Sequence, residues 1–190
     1  MGPMRLFAAV APPQEVCEEL SRLIADVAPG TNQLEPVDAD SLMVFVCRFG
    51  NVTLADQRKL THSLLDDIPS VAGGELHVKG GTALEWPGDM SLWAKLEGDL
   101  DALAELARCV PASVKPLGFF VDRRAFHPWI SVGEITDTTT APYLESVIKT
   151  LDGYEGPSWR FDSLLLCRWT LTEDLSYGGF EVLEEIGLLG

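Results

Sequence analysis

The chain has 190 residues, 46% of them hydrophobic, which is enough for one compact domain or two closely coupled lobes. Fourteen lysines and arginines against 29 aspartates and glutamates give a net charge of −15. This acidic balance argues against tight, nonspecific nucleic-acid binding, which needs a basic surface to neutralise phosphates. No stretch approaches the 18 or so apolar residues of a membrane span, and the first ten residues lack a basic segment before a long apolar one, so we expect a cytoplasmic protein.

The cysteines are widely spaced and form no C-x-x-C pair, which favours reduced, buried thiols over disulfides or zinc ligands. We therefore expect no metal and no cofactor. Met1-Gly2-Pro3 precede a second methionine, Met4, and the sequence leaves open whether these three residues are native.

Strand and helix patterns alternate along the chain. Strands are predicted at 4–10, 42–49, 75–79, 91–97, 127–134, 158–170 and 179–184. Four amphipathic helices are predicted to begin after Pro13, Thr53, Asp99 and Thr140. Between the strands we expect a polar connection before 42–49, a glycine- and proline-rich turn at 80–90, and a loop containing Pro111 and Pro116.

The two halves of the chain correspond at a constant spacing of 86 residues, which relates Met43 to Trp129 and Arg5 to Ser91. Both halves have the order strand, helix, strand, helix, strand. The pattern predicts a single domain, 1–190, of two lobes that exchange strands, with halves at about 4–80 and 91–184. A chance similarity between units of common size is the alternative.

If the duplication is real, strands 42–49 and 127–134 face each other across a pseudo-twofold axis, with a cleft between the lobes. Strand alternation places Met43, Phe45 and Cys47 on one face. It also places His127 on the same face as Trp129 and Ser131, with His127 about 7 Å further along the strand. We predict that these two faces line the cleft.

Four segments together resemble the 2′-5′ RNA ligase branch of the 2H phosphoesterase superfamily. They are RLFAAVAPP at 5–13, LMVFVCRFG at 42–50, RAFHPWISV at 124–132 and YGGFEVL at 177–183. The second lies where the family has its first His-x-Thr strand, and the third where it has Arg-x-Phe-x-Pro-His-hydrophobic-Thr-Leu. The resemblance implies an α/β (α+β) fold of two pseudo-twofold-related lobes, each with a small, mostly antiparallel sheet and two helices.

The resemblance also implies metal-independent chemistry on 2′,3′-cyclic phosphates or 2′-5′ phosphodiesters. In such a site one imidazole takes a proton from the attacking group and the other gives a proton to the leaving oxygen. The threonine hydroxyls of the two motifs hold the phosphoryl oxygens as charge builds up.

The residues at the motif positions of this chain differ from those of the family. Met43 and Phe45 occupy the first His and Thr positions, and Trp129 and Ser131 occupy the second. Met, Phe and Trp cannot transfer a proton near pH 7, and each lost general acid or base costs about 10² to 10⁴ in rate. The leading hypothesis is a non-catalytic or impaired family member that binds a ligand or a protein in the cleft.

Two alternatives remain open. His127 could act as a shifted catalytic histidine, with Ser131 and Arg124, in an active RNA 2′,3′-cyclic phosphodiesterase. Alternatively, the apolar side chains at the motif positions fill the cleft, and the chain is a purely structural or interaction domain.

The candidate ligand-binding residues are Ser131, Arg124, Trp129, Met43 and Phe45, and the candidate ligand is a small molecule or a nucleotide. Arg124 either contacts a phosphate from the edge of the cleft or is a surface charge beside Arg123. Trp86, in the turn, either stacks on a base or covers the edge of the core.

Overall fold

The computed structural model describes residues 4–122, 124–171 and 177–190, so Met1-Gly2-Pro3 and Arg123 lie outside the described residues. The strands are β1 (Met4–Val10), β2 (Leu34–Pro36), β3 (Val44–Val52), β4 (Gly74–Ala83), β5 (Ser91–Gly98), β6 (Trp129–Ile135), β7 (Trp159–Phe161), β8 (Ser163–Leu171) and β9 (Tyr177–Gly187). The longer helices are α1 (Gln14–Ala25), α2 (Leu54–Asp67), α3 (Leu100–Val114) and α4 (Ala141–Gly153). None of the helices in the described part of the chain has the length and apolar character to cross a membrane.

The strands form two antiparallel sheets with related internal orders. Sheet A has the order β3-β1-β8-β9, and sheet B has the order β2-β6-β5-β4-β7. In sheet A, β1 pairs with β3 from its own half and with β8 from the other half. In sheet B, β5 likewise pairs with β6 from its own half and with β4 from the other. The predicted mixed α/β fold with antiparallel sheets is confirmed.

Threonine side chains cap the N-termini of two of the predicted helices. Thr53 Oγ1 accepts a hydrogen bond from the Asp56 backbone N–H at 3.2 Å and donates one to the Asp56 carboxylate at 2.8 Å. Thr140 Oγ1 accepts from the Tyr143 backbone N–H at 3.3 Å. Each threonine satisfies one of the N–H groups that the first turn of a helix leaves unpaired.

Two predicted connections contain regular structure instead. Helix α3 continues through Pro111 to Val114, where a loop was expected. Val110 and Val114 are fully buried in the core, and this packing offsets the backbone hydrogen bond that a proline inside a helix removes. The polar connection before β3 contains β2, which pairs with the end of β6.

Strand β6 begins at Trp129, two residues later than predicted. Pro128 has no backbone N–H and restricts the residue before it, so a strand does not extend readily through this position. The Trp129 N–H instead donates to the His127 carbonyl at 2.8 Å, which makes a tight turn. His127 is therefore outside the strand, and its position cannot be derived from strand alternation.

A bulge interrupts the alternation of β3. Ala8 of β1 lies opposite Cys47 and Ala9 lies opposite Phe45, so Val46 is an extra residue between them. An extra residue reverses which face the following side chains take. Cys47 consequently packs with Ala8 in the main core, whereas Phe45 packs with Ala9 in a second, smaller cluster. The prediction that Cys47 shares a face with Phe45 is wrong.

The second cluster covers the other face of sheet A. Its buried members are Phe7, Ala9, Met43 and Cys167, with Phe45, Leu165, Trp169 and Phe180 packed against them. The Phe7 ring lies 4.6 Å from the Trp169 ring and 5.1 Å from the Phe45 ring, measured between centroids. This face of sheet A is therefore apolar, and aromatic side chains fill most of it.

Two neighbouring leucines of α2 test the assignment of the core. Leu64 is 0% exposed and Leu65 is 42% exposed. We expect Leu64→Ala to lower the free energy of unfolding by about 2–5 kcal/mol, because it removes buried methyl groups and leaves a cavity. Leu65→Ala is the matched control, with an expected loss of less than about 1 kcal/mol. Urea unfolding measures both, and equal losses would contradict the orientation of α2.

Candidate functional site

A pocket of about 260 Å³ opens where β3, the β4–β5 turn and the segment before β6 meet. Its aromatic lining consists of Phe45, Trp86, Trp93, Phe126, His127 and Trp129. Its charged lining consists of Arg48, Asp89, Asp122 and Arg124. The pocket therefore combines flat apolar surfaces with a small number of charged groups, which is typical of small-molecule sites.

Four rings form one side of the pocket, which we call the aromatic wall: Trp86, Trp93, His127 and Trp129. The His127 imidazole stacks on the Trp129 indole at 4.4 Å with an interplanar angle of 16°, and on the Trp86 indole at 5.2 Å and 11°. Trp93 contacts Trp86 at 5.8 Å and Trp129 at 6.0 Å in tilted arrangements. Each ring thus contacts two others, which restricts the orientation of all four.

The aromatic wall is held in place by a buried carboxylate. Asp89, only 3% exposed, accepts hydrogen bonds from Trp93 Nε1 at 3.0 Å and from the backbone N–H groups of Glu85 and Ser91 at 3.1 and 3.0 Å. A buried carboxylate needs such donors because burial removes its water. Asp89 therefore ties the β4–β5 turn, which carries Trp86, to the first residues of β5.

The charged side of the pocket is built around Asp122. The Arg124 Nε donates to Asp122 Oδ2 at 2.8 Å, and the Arg124 backbone N–H donates to Oδ1 at 3.0 Å. These bonds from Arg124 lower the pKa of the Asp122 carboxyl, so it is ionised at neutral pH. The Asp122 backbone N–H in turn donates to the Arg48 carbonyl at 3.1 Å, which joins this segment to β3.

Arg48 also lines the pocket, with its guanidinium carbon 4.4 Å from the centre of the Phe45 ring. Burial, and secondarily the nearby charge of Arg124, lower the pKa of Arg48 from its ordinary value. An arginine remains protonated at neutral pH despite such a shift. The pocket is therefore lined by two guanidinium groups and two carboxylates, and the Asp89 carboxylate is bonded to Trp93 and to the backbone of the β4–β5 turn.

The structure brings together some of the residues singled out in the sequence. Phe45, Arg124, His127 and Trp129 line the pocket. Met43 is 3% exposed and lies within the second cluster, and Ser131, which lies opposite Trp93 on β5, is not among the lining residues. Met43, at the first His position, is thus enclosed by packed side chains. Trp129, at the second His position, borders the open pocket.

His127 reaches Trp129 through the turn at Pro128, not along a strand as predicted. The other two histidines lie away from the pocket: His62 is on α2, and His77 is on β4, 3.6 and 3.8 Å from the carboxylates of Glu97 and Glu155. Among the described residues no three His, Cys, Asp or Glu side chains gather as they would around a metal ion.

Cys47 borders the pocket but is not an activated nucleophile. Burial raises the pKa of its thiol to about 12. The fraction present as thiolate at neutral pH is therefore very small.

Sequence reasoning missed four residues on which the description of the site depends, which are Arg48, Asp89, Trp93 and Asp122. The spacing of 86 residues maps Phe7, at the centre of the second cluster, onto Trp93, so the repeat contained a signal for this tryptophan. Arg48 was missed because the bulge in β3 determines which face of the strand its side chain takes, and the bulge has no sequence pattern. Asp89 resembles an ordinary turn aspartate, and its burial depends on the folded hairpin.

No family model matches the chain, and no curated protein sequence matches it. Solved structures do match over nearly the whole chain. E. coli LigT complexed with 3′-AMP superimposes with a TM-score of 0.78 and 19% identity, covering 98% of each chain. E. coli LigT complexed with NADP⁺ gives 0.76 and 21% over 100% of each chain. TT0787 of Thermus thermophilus gives 0.73 and 22%, covering 98% of this chain and 99% of that one. The chain thus has the fold of LigT and TT0787, which is the duplicated 2H phosphoesterase fold that the sequence resemblance implied.

The role of Asp89 can be tested by removing its acceptor oxygens. We expect Asp89→Ala to lower the free energy of unfolding by about 2–4 kcal/mol, because three N–H donors lose their partner in a buried place. Asp89→Asn keeps one acceptor oxygen and should lose less. Urea unfolding measures the difference, and an Asp89→Ala protein as stable as the wild type would show that the carboxylate does not organise the turn.

Proposed function

We propose that the chain is a 2H phosphoesterase-like protein that binds a planar ligand in its pocket without turning over phosphodiesters. The observation that carries this proposal is the aromatic wall. At the second motif position the indole of Trp129 stands where the 2H phosphoesterase motif has an imidazole, and it contacts the rings of His127 and Trp93, which also border the pocket. At the first motif position Met43 is buried.

The geometry argues against acid-base catalysis on a phosphodiester. The reaction needs two groups that exchange protons on opposite sides of the phosphate, and each contributes about 10² to 10⁴ in rate. His127 is the imidazole that lines the pocket, and both His62 and His77 lie elsewhere in the fold. The stacking of His127 on Trp86 and Trp129 also gives the imidazole a packing role.

The same geometry favours the binding of a flat ring. Stacking of a nucleobase on an aromatic side chain contributes about 1–3 kcal/mol, and it does not depend on the identity of the base. Structures of LigT were obtained with 3′-AMP, ATP and NADP⁺, which all contain adenine. Adenine derivatives are therefore the first ligands to test on this chain. A cytoplasmic location and the lack of tight, nonspecific nucleic-acid binding remain predictions.

The second candidate function is an active RNA 2′,3′-cyclic phosphodiesterase. It is favoured by one observation, which is that His127 and Arg124 both border the same pocket. In that case His127 would act as the proton-transferring group and Arg124 would hold the phosphate. The third candidate is a purely structural or interaction domain with a filled cleft. The burial of Met43 supports it, and the pocket beside Trp129 argues against it.

An assay of hydrolysis separates the first two functions. The substrate is an RNA oligonucleotide that ends in a 2′,3′-cyclic phosphate, incubated with excess protein. We expect no ring opening above the uncatalysed rate, with wild type and His127→Ala indistinguishable. Turnover by the wild type that His127→Ala abolishes would contradict the non-catalytic proposal and establish His127 as the catalytic residue.

Binding of a neutral nucleoside tests the aromatic wall. We expect Trp129→Leu to weaken adenosine binding by about 5- to 50-fold, because the stacking surface is lost. Trp129→Phe keeps an aromatic face and is the matched control, with a loss of less than about threefold. Isothermal titration calorimetry measures both affinities. Equal affinities for the wild type and Trp129→Leu would show that the wall does not hold the ring.

A further inference from the structure

The Arg48 guanidinium is the least satisfied charged group that borders the pocket. Its side chain forms no hydrogen bond with any described residue, and its guanidinium carbon lies 4.4 Å from the centre of the Phe45 ring. A guanidinium has five N–H donors and no acceptor. Donors at a partly buried position need partners, and a bound anion would supply them.

Arg124 is the second guanidinium on this side. Its Nε, its Nη2 and its backbone N–H are already bonded to Asp122, which fixes the direction of the side chain and leaves Nη1 for a ligand. Arg48 and Arg124 border the ring-binding pocket and also a second pocket of about 390 Å³, together with Asp122. The two arginines therefore lie between the two pockets. A ligand bound in the first pocket can extend past them toward the second.

The local charge favours an anion over a cation. Aromatic walls also bind ammonium groups through cation–π contacts, but the space that Arg48 and Arg124 share with the second pocket contains one of the two carboxylates, Asp122. The other, Asp89, is buried and accepts hydrogen bonds from Trp93 and from the backbone of Glu85 and Ser91. The two arginines line the same two pockets, and burial followed by the charge of Arg124 lowers the pKa of Arg48. An anion between Arg48 and Arg124 would remove this repulsion, whereas a cation would increase it.

We propose that Arg48 and Arg124 form an anion-binding subsite at the edge of the aromatic pocket, so that the ligand is a planar ring that carries a phosphate or carboxylate group. This subsite rests on the proposed ring-binding function and names the chemical class of its ligand. It also moves the anionic group away from the motif positions, because Met43 is buried and Ser131 does not line the pocket. Bidentate N–H donation to an oxyanion is the contact that a guanidinium makes best.

The test compares adenosine with 3′-AMP, which share the ring and differ in the phosphate. We expect the wild type to bind 3′-AMP at least tenfold more tightly than adenosine at low salt, and this ratio to fall as salt is added. Arg48→Met, which keeps an unbranched stem of similar length, should reduce the ratio to about twofold or less, and the ratio corrects for any change in the binding of the ring. Arg48→Lys keeps the charge and should retain part of the preference.

Arg108→Met is the control for a general change in charge. Arg108 is on α3, where it is paired with Glu105, and it does not border either pocket. Its 3′-AMP preference should equal that of the wild type. The midpoint of urea unfolding shows whether each variant is folded. If Arg48→Met is unfolded, Arg48→Lys replaces it as the test variant.

The outcomes distinguish the subsite from the function on which it rests. A wild type that binds adenosine and 3′-AMP equally, or a preference for 3′-AMP that survives in Arg48→Met, overturns the subsite and leaves ring binding intact. A wild type that binds neither compound overturns the ring-binding function and the subsite together. A preference that Arg48→Met removes and Arg108→Met retains supports the subsite.

Discussion

The pairing of each half's first strand with a strand from the other half is the constraint on which the pocket depends. β1 pairs with β8 in sheet A, and β5 pairs with β4 in sheet B, so neither sheet can form from one half of the chain. This arrangement fixes sheet A, which carries β3, relative to the turn between β4 and β5 in sheet B. The pocket lies between elements that are distant in sequence, and its shape follows from this exchange.

Within this fold, packed side chains occupy the two positions at which the 2H phosphoesterase motifs have histidines. Met43 joins an aromatic cluster on sheet A, and Trp129 joins the aromatic wall. Methionine and tryptophan side chains bury apolar surface and do not transfer protons near neutral pH. Arg48 and Arg124 leave positive charge beside the wall in a chain with a net charge of −15.

The fold was predictable from the sequence because it depends on local patterns. Helix starts at Thr53 and Thr140 follow from capping chemistry, and the resemblance spread over the whole chain supplied the topology. The site was less predictable because it depends on departures from regular structure. One extra residue at Val46 changed which side chains share a face, and Pro128 replaced strand alternation with a turn at His127. Neither feature has a periodic signature.

The most direct measurement is a crystal structure of the protein with 3′-AMP bound. We expect the adenine ring to lie against the aromatic wall and the phosphate oxygens to lie about 3 Å from the guanidinium of Arg48. A phosphate bound instead beside Ser131, with the His127 imidazole unstacked and directed at it, would contradict a non-catalytic pocket and would place a catalytic site at the second motif position.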